Sequence, residues 1–175
     1  MFNRKRSGGS EAGEDRLADM LLKIPIFEEC TRRELAAVER ILHRREFLRD
    51  EVIFHQDDPG LGMYIIESGK VAIIAEPSHH VLSELEDGEF FGELALLSEA
   101  PRSATALALT PCKVLGFFQP DLFGLIERNP KLGVKIVMHL ASIIGDRLRK
   151  ANEQIQAVKL GGVAPREARR EPTPT

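Results

Sequence analysis

The chain has 175 residues, 43% of them hydrophobic and 29% charged, which fits one soluble globular domain and excludes a chain that is disordered throughout or built to span a membrane. A formal net charge of −3 argues against the evenly basic surface with which nucleic-acid binders displace counterions. No Trp and one Tyr against nine Phe leave few rings for base stacking, so a ligand pocket here is expected to have aliphatic walls.

Cys30 and Cys112 stand far apart, neither in a CxxC or CxxH pattern, so no disulfide framework or metal site is indicated and both read as small buried hydrophobes. The opening MFNRKRSGGS has basic residues but no apolar run behind them, unlike a signal peptide. No window reaches the roughly 20 apolar residues of a spanning helix. A cytoplasmic protein without membrane contact is the expectation.

In chain order, residues 1–15 and 160–175 are rich in Gly, Pro, Ser and charge and read as disordered tails around a folded part at 16–159. Leu17, Met20, Leu21 and Ile24 recur at helical spacing up to Pro25, predicting a first helix. Thr31-Arg32-Arg33-Glu34 has the form of a capping box, followed by Leu35, Val38, Ile41 and Leu42 on one face, which predicts a second helix ending near His43.

From about residue 46 to 118 the pattern changes to short β-branched and aromatic runs: Val52–Phe54, Met63–Glu67, Val71–Glu76, Val81–Leu85, Ala104–Leu109 and Lys113–Phe118. Turn residues separate them, among them Gly69, read as a hairpin glycine with positive φ. Many short strands at this spacing predict a small sandwich or roll. After Pro120 the helical period returns, with a short helix over 121–128. A long one then follows from Asn129-Pro130 to about Lys159, its apolar positions Leu132, Ile136, Leu140, Ile143, Ile144, Leu148, Ile155 and Val158 spaced as in a coiled-coil seam. That seam suggests a homodimer through the C-terminal helix, against the alternative that the helix packs on its own roll.

One segment reads as a binding site: Gly92-Glu93-Leu94-Ala95-Leu96-Leu97, then Pro101-Arg102-Ser103-Ala104-Thr105. Gly92 permits close backbone approach, a short helix from Leu94 offers N–H groups to an anion, and Arg102 supplies a cation. Glu93 beside such a site needs a neutral donor such as a sugar hydroxyl. These residues therefore suit a ligand with both a phosphate and a hydroxyl; by spacing alone, a Glu93–Arg102 ion pair closing a loop is an equal alternative.

The segment resembles the phosphate-binding cassette of cyclic-nucleotide-binding domains, as found in the catabolite activator protein, protein kinase A regulatory subunits and cyclic-nucleotide-gated channels. Phe54-His55-Gln56, Asp58-Pro59-Gly60, Met63-Tyr64-Ile65-Ile66, Ser68-Gly69-Lys70-Val71, Asp87-Gly88 and Phe90-Phe91 resemble the same family's upstream half. The likeness runs from about Leu21 to Gln156. It implies an α+β, mainly β fold: an eight-stranded, jelly-roll-like β-roll over about 46–118, with N-terminal helices and a short plus a long C-terminal helix over about 120–159.

It further implies a non-catalytic sensor of cAMP, or of cGMP, that signals by repositioning its C-terminal helices to an unknown downstream protein. Glu93 would accept from the ribose 2′-hydroxyl, near the backbone of Gly92 and Leu94. Arg102 would pair with the cyclic phosphate, helped by Ser103 and the N–H groups of Ala95 and Ala104. Val71, Ile73, Val81 and Leu82 are base-pocket candidates, with Arg147 and Asn152 on a lid from the long helix. Asp57 stands where the family usually has glycine, and Leu61 replaces a frequent acidic residue. No helix-turn-helix follows the long helix, so no DNA partner is expected. The alternatives are a scaffold of the same fold with no nucleotide or another ligand, and an enzyme. Adjacent His79 and His80 at a hairpin tip point to opposite faces and cannot chelate together, and no catalytic set accompanies them, so neither a metal nor catalysis is expected.

Overall fold

A computed structural model describes residues 11–161, with side chains described over 16–156; of the tails expected at 1–15 and 160–175, residues 1–10 and 162–175 lie outside these. Helix α1 (Glu11–Leu21) leads through a 3-10 turn (Pro25–Phe27) to α2 (Arg32–Glu39). Eight strands follow: β1 (His43–Phe47), β2 (Val52–Phe54), β3 (Gly62–Ser68), β4 (Val71–Ala75), β5 (His80–Leu85), β6 (Phe90–Phe91), β7 (Thr105–Ala108) and β8 (Cys112–Phe118). A second 3-10 turn (Glu93–Leu96) sits between β6 and β7, and α3 (Gln119–Arg128) and α4 (Pro130–Gly161) close the chain.

The strands form two four-stranded sheets, ordered β1-β8-β3-β6 and β2-β7-β4-β5, and every pairing is antiparallel. This is the eight-stranded roll that the family resemblance implies, and it agrees with the small sandwich or roll read from turn spacing. The first sheet is covered on both sides. Tyr64, Ile66 and Val114 turn into the space between the sheets, while Met63, Ile65, Leu115 and Phe117 turn to the helices. Alternate residues of β3 and β8 thus serve two cores, so both strands read as continuous apolar runs. Against that outer core lie Leu21, Ile24, Phe27 and Leu35 from the N-terminal segment and Leu132, Ile136 and Leu140 from α4.

Four expectations need correction. Residues 11–15 are helical rather than a tail, because α1 starts at Glu11. Helix α2 ends at Glu39 instead of near His43, since His43–Phe47 is taken by β1 in register with Gly116–Cys112 of β8; its HRREF sequence is an exposed, charged edge strand without apolar alternation. Gly69 does have φ of +112°, yet β3 and β4 lie in different sheets, so it turns a corner between sheets rather than a hairpin. Finally, Leu132, Ile136 and Leu140, placed in a dimer seam from spacing, are fully buried against their own domain.

The capping box forms as read. Thr31 N–H donates to Glu34 Oε2 at 2.8 Å, and Glu34 N–H donates to Thr31 Oγ1 at 3.3 Å. Glu34 also accepts from Lys135 of α4 at 3.0 and 3.1 Å, and Lys135 donates to the Glu29 carbonyl at 3.0 Å. One carboxylate therefore both caps α2 and ties it to α4.

The Thr31 N–H first, and Lys135 second, hold the Glu34 carboxyl below the usual carboxylate range, and the hydrogen bond that Lys135 donates to Glu34 raises the Lys135 pKa. A depressed carboxyl gives stability that is complete above its unfolded pKa of about 4.3 and is lost as pH falls through the lower folded value. Glu34→Gln should lower the melting temperature at neutral pH and remove part of the loss seen on acidification. Thermal melts from neutral to acid pH test this, and parallel curves for the two proteins would refute it.

Candidate functional site

The cassette starts at Gly92, whose φ of +74° follows directly on β6. The positive φ calls for glycine, and a Cβ there would lie 2.5 Å from Arg102 Nη1 and displace the guanidinium. Glu93–Leu96 form a 3-10 turn in which the Ala95 N–H donates to the Gly92 carbonyl at 3.2 Å. The expected helix is thus one short turn, with the Ala95 N–H engaged inside it.

Arg102 is fixed by the loop after β2. Its N–H donates to the Asp58 carbonyl at 2.9 Å and its carbonyl accepts from the Asp57 N–H at 2.9 Å, beside a Pro59–Pro101 bridge. Asp57 holds φ of +68°, the left-handed position where the family usually has glycine, and Asp tolerates it better than most residues. Asp58 Oδ2 accepts from the His55 N–H at 2.8 Å, which shapes the same turn. At Gly60 a Cβ would meet the Ala100 carbonyl at 2.7 Å and Ala95 Cβ at 2.8 Å, so this loop touches both halves of the cassette.

The Arg102 side chain is buried, at 7% exposure. Nη1 donates to the Gly92 carbonyl at 3.1 Å, the guanidinium lies 4.1 Å from the centre of the Phe54 ring, and Nε has no hydrogen-bond partner. Among the described residues no carboxylate lies within ion-pairing distance of it. Burial pulls its pKa down, opposed by Tyr64, Asp58 and Glu93 at longer range. Glu93, 6% exposed, pairs instead with Arg147 of α4, Nη1 to Oε1 at 2.6 Å, and Arg147 also lies 5.0 Å from the centre of the Phe90 ring. The Glu93–Arg102 pair allowed by spacing is not formed; the acid's partner comes from the long helix.

These groups border a cavity of about 470 Å³, within the size range of small-molecule sites. Gly92, Glu93, Leu94, Ala95, Arg102, Ser103, Ala104, Ile73 and Arg147 all line it. Val71, Val81, Leu82 and Asn152 do not. Val71 is fully buried in the core between the sheets, while Val81 and Leu82 are 44% and 56% exposed. Ile73 pairs with Ser83 and Val71 with Leu85 in regular register, and the shift comes beyond them, where Ile74 pairs with Val81 and Leu82 is skipped. Ser83 and Leu85 share the cavity face with Ile73, whereas Val81 and Leu82, apolar but adjacent and so on different faces, fall at and beyond the shift. Asn152 is five residues beyond Arg147, about 7.5 Å along the helix. The walls are also more aromatic than composition suggests, with Phe54, Phe90 and Phe91 contributing. Phe54 and Phe90-Phe91 stand in the sequence motifs flanking the cassette, which was the signal available for them.

No helix among the described residues is long and apolar enough to cross a membrane. Residues 44–129 match the family model for the cyclic nucleotide-binding domain. The cyclic AMP receptor protein of Thermus thermophilus is 33% identical over 135 residues, 75% of this chain and 60% of the relative. A cAMP-dependent protein kinase regulatory subunit of Hypocrea atroviridis is 38% identical over 124 residues, 67% of this chain and 26% of the relative. The chain thus spans less than two thirds of either protein. The crystal structure of a cyclic nucleotide-binding domain from Methylobacillus flagellatus superposes with a TM-score of 0.72 at 22% identity, covering 92% of this chain and 90% of that one, a likeness of fold. Roll, cassette and flanking helices agree with the match: the chain belongs, through this domain, to the cyclic nucleotide-binding domain family.

Proposed function

We propose that the domain is a non-catalytic sensor of a cyclic nucleotide, cAMP or cGMP, acting in the cytoplasm where such ligands are made. The observation that carries this reading is Arg102: a buried guanidinium on the cavity wall with an unpartnered Nε and, among the described residues, no carboxylate within ion-pairing distance. A buried cation of this kind is costly unless an anion meets it. The cyclic phosphate supplies one, with the Ser103 hydroxyl alongside. Glu93 accepts from the ribose 2′-hydroxyl, and the base lies on Ile73, Ser83 and Leu85. Serine at position 103, where cGMP-favouring members of the family often have threonine, leans the choice toward cAMP.

Output follows from Arg147. Because this α4 residue holds Glu93 at 2.6 Å, a ribose hydroxyl arriving at the same carboxylate changes what α4 is bound to. Ligand then shifts the population of α4 positions by its different affinity for each. A second reading rests on the same contact: Glu93 and Arg147 serve only to pin α4 to the roll, and the domain is a scaffold. Calorimetry decides, since a folded sample that gives no heat with millimolar cAMP or cGMP removes the sensor reading.

A micromolar ligand needs about 8 kcal/mol. Two charged hydrogen bonds from Arg102 supply roughly 3–6 kcal/mol of it, so Arg102→Leu should weaken nucleotide binding at least about 100-fold. The same change should leave the melting temperature level or raise it, because an apolar side chain replaces a buried unpaired charge. Binding within tenfold of wild type would refute the assigned role.

The Glu93 assignment has its own test. Wild type should prefer cAMP to 2′-deoxy-cAMP about tenfold or more, and Glu93→Ala should bind the two alike. A preference that persists in Glu93→Ala would place the ribose contact elsewhere.

A further inference from the structure

A buried cation without a carboxylate needs some other source of negative charge, and at Arg102 an aromatic ring stands in that place. The guanidinium carbon lies 4.1 Å from the centre of the Phe54 ring, inside the roughly 6 Å over which the electron-rich face of a ring attracts a cation. Nη1 donates one hydrogen bond to the Gly92 carbonyl and Nε donates none. Hydrogen bonds alone therefore do not account for how this charge is held.

A strand irregularity aims the ring. Val52 pairs with Leu107 and Phe54 with Ala106, so β2 carries one residue more than β7 over this step. In unbroken register Phe54 would stand opposite Thr105 and share the face of Val52. The bulge puts it opposite Ala106 instead, whose side chain belongs to the core between the sheets; bulges beside binding sites commonly re-aim a side chain in this way. Once inside, the ring is braced. Its centre lies 6.2 Å from that of Tyr64 and 5.8 Å from that of Phe91, and those two are 5.7 Å apart, all within the range of favourable ring pairs. Rings from β2, β3 and β6 thus each lie against the other two, and that packing keeps Phe54 from turning its face away from the guanidinium.

We infer that Phe54 is a positioning residue for Arg102, its ring face acting as the counter-charge that keeps the guanidinium in place on the cavity wall until an anion arrives. A carboxylate would hold the arginine more firmly, but an incoming phosphate would then have to displace it. The ring attracts the cation without occupying its N–H groups, which stay free for the anion. The effect on ligand rests on the sensor reading; the attraction between ring and cation does not. Electron density is the property to vary, because fluorine withdraws it from the ring face with little change of shape. Phenylalanine analogues of increasing fluorine content, placed at position 54 alone, should lower the melting temperature of the nucleotide-free full chain step by step, by roughly 2–4 °C in all. In an Arg102→Leu background the steps should vanish. A flat series in the parent chain, or the same series in both backgrounds as packing alone would give, would overturn the inference. With nucleotide present, Phe54→Leu should weaken cAMP binding about tenfold, and Phe54→Tyr, which restores a ring, should recover most of that loss. Equal affinities for the Leu and Tyr variants would count against the inference in the same way. If the parent chain binds neither cAMP nor cGMP, the sensor reading falls, and the melting series still decides the role of Phe54.

Discussion

Everything in this domain that bears on function depends on keeping one guanidinium out of water without a carboxylate beside it. Isolated charges in a protein interior cost several kcal/mol even after relaxation, and Arg102 is held by lesser partners: the Gly92 carbonyl and the face of Phe54. The arrangement persists because its neighbours leave it nowhere else to go. Gly92 can take no side chain against Nη1, and the Arg102 backbone is clamped on both sides by the loop at Asp57 and Asp58. Burial by the roll, the left-handed turn at Asp57 and the bare backbone at Gly92 and Gly60 all serve one end. They hold a cation where an incoming anion gains more than it would from an exposed arginine, whose charge water already satisfies.

Glu93 sits within the same electrostatic field and has the opposite fate. Its carboxylate is as buried as Arg102, but α4 supplies Arg147 to neutralise it. The roll thus keeps its cation free for a ligand and gives its anion to a helix. On the proposed reading, a ligand carrying both a phosphate and a hydroxyl would address the two in different ways, filling an unmet need at one and competing with an existing bond at the other. The second interaction would connect the cavity to α4, where Arg147 lies just past the stretch buried on the outer core.

How much of this was legible in the sequence divides along physical lines. The cassette and most strands could be read because they rest on local chemistry: a glycine where φ must be positive, turn residues between β-branched runs, a hydroxyl and a carboxylate three residues apart at a helix start. Strand β1 could not, because HRREF owes its conformation to the ladder with β8 and is exposed along most of its length. The base wall failed for a different reason. Val81 and Leu82 are apolar and in the right strand, but they fall at and beyond the register shift after Ile73, while Ser83 and Leu85, in the regular ladder with Ile73 and Val71, meet the cavity. Apolar character alone fixes neither the position along a strand nor the face a residue takes.

Helix α4 shows the same limit at the level of faces. Its apolar residues are numerous enough to make two stripes, and spacing alone merges them into one. Burial separates them: Leu132, Ile136 and Leu140 belong to the domain, while Val134, Met138, Leu148 and Ile155 are left outward. A helix that is apolar on opposite sides exposes one side whenever it packs on a single body, and that exposure is unfavourable in water at roughly 25 cal/mol per Å² of apolar area. Lys135 and Glu34 reinforce the inner attachment with hydrogen bonds that fix the rotation of α4 about its axis. That rotation in turn fixes where the outer stripe points and where Arg147 meets Glu93. One rotational setting therefore serves the core, the cavity and the outer face at once, so a ligand that disturbed Glu93 would act on a helix whose other contacts resist being changed one at a time.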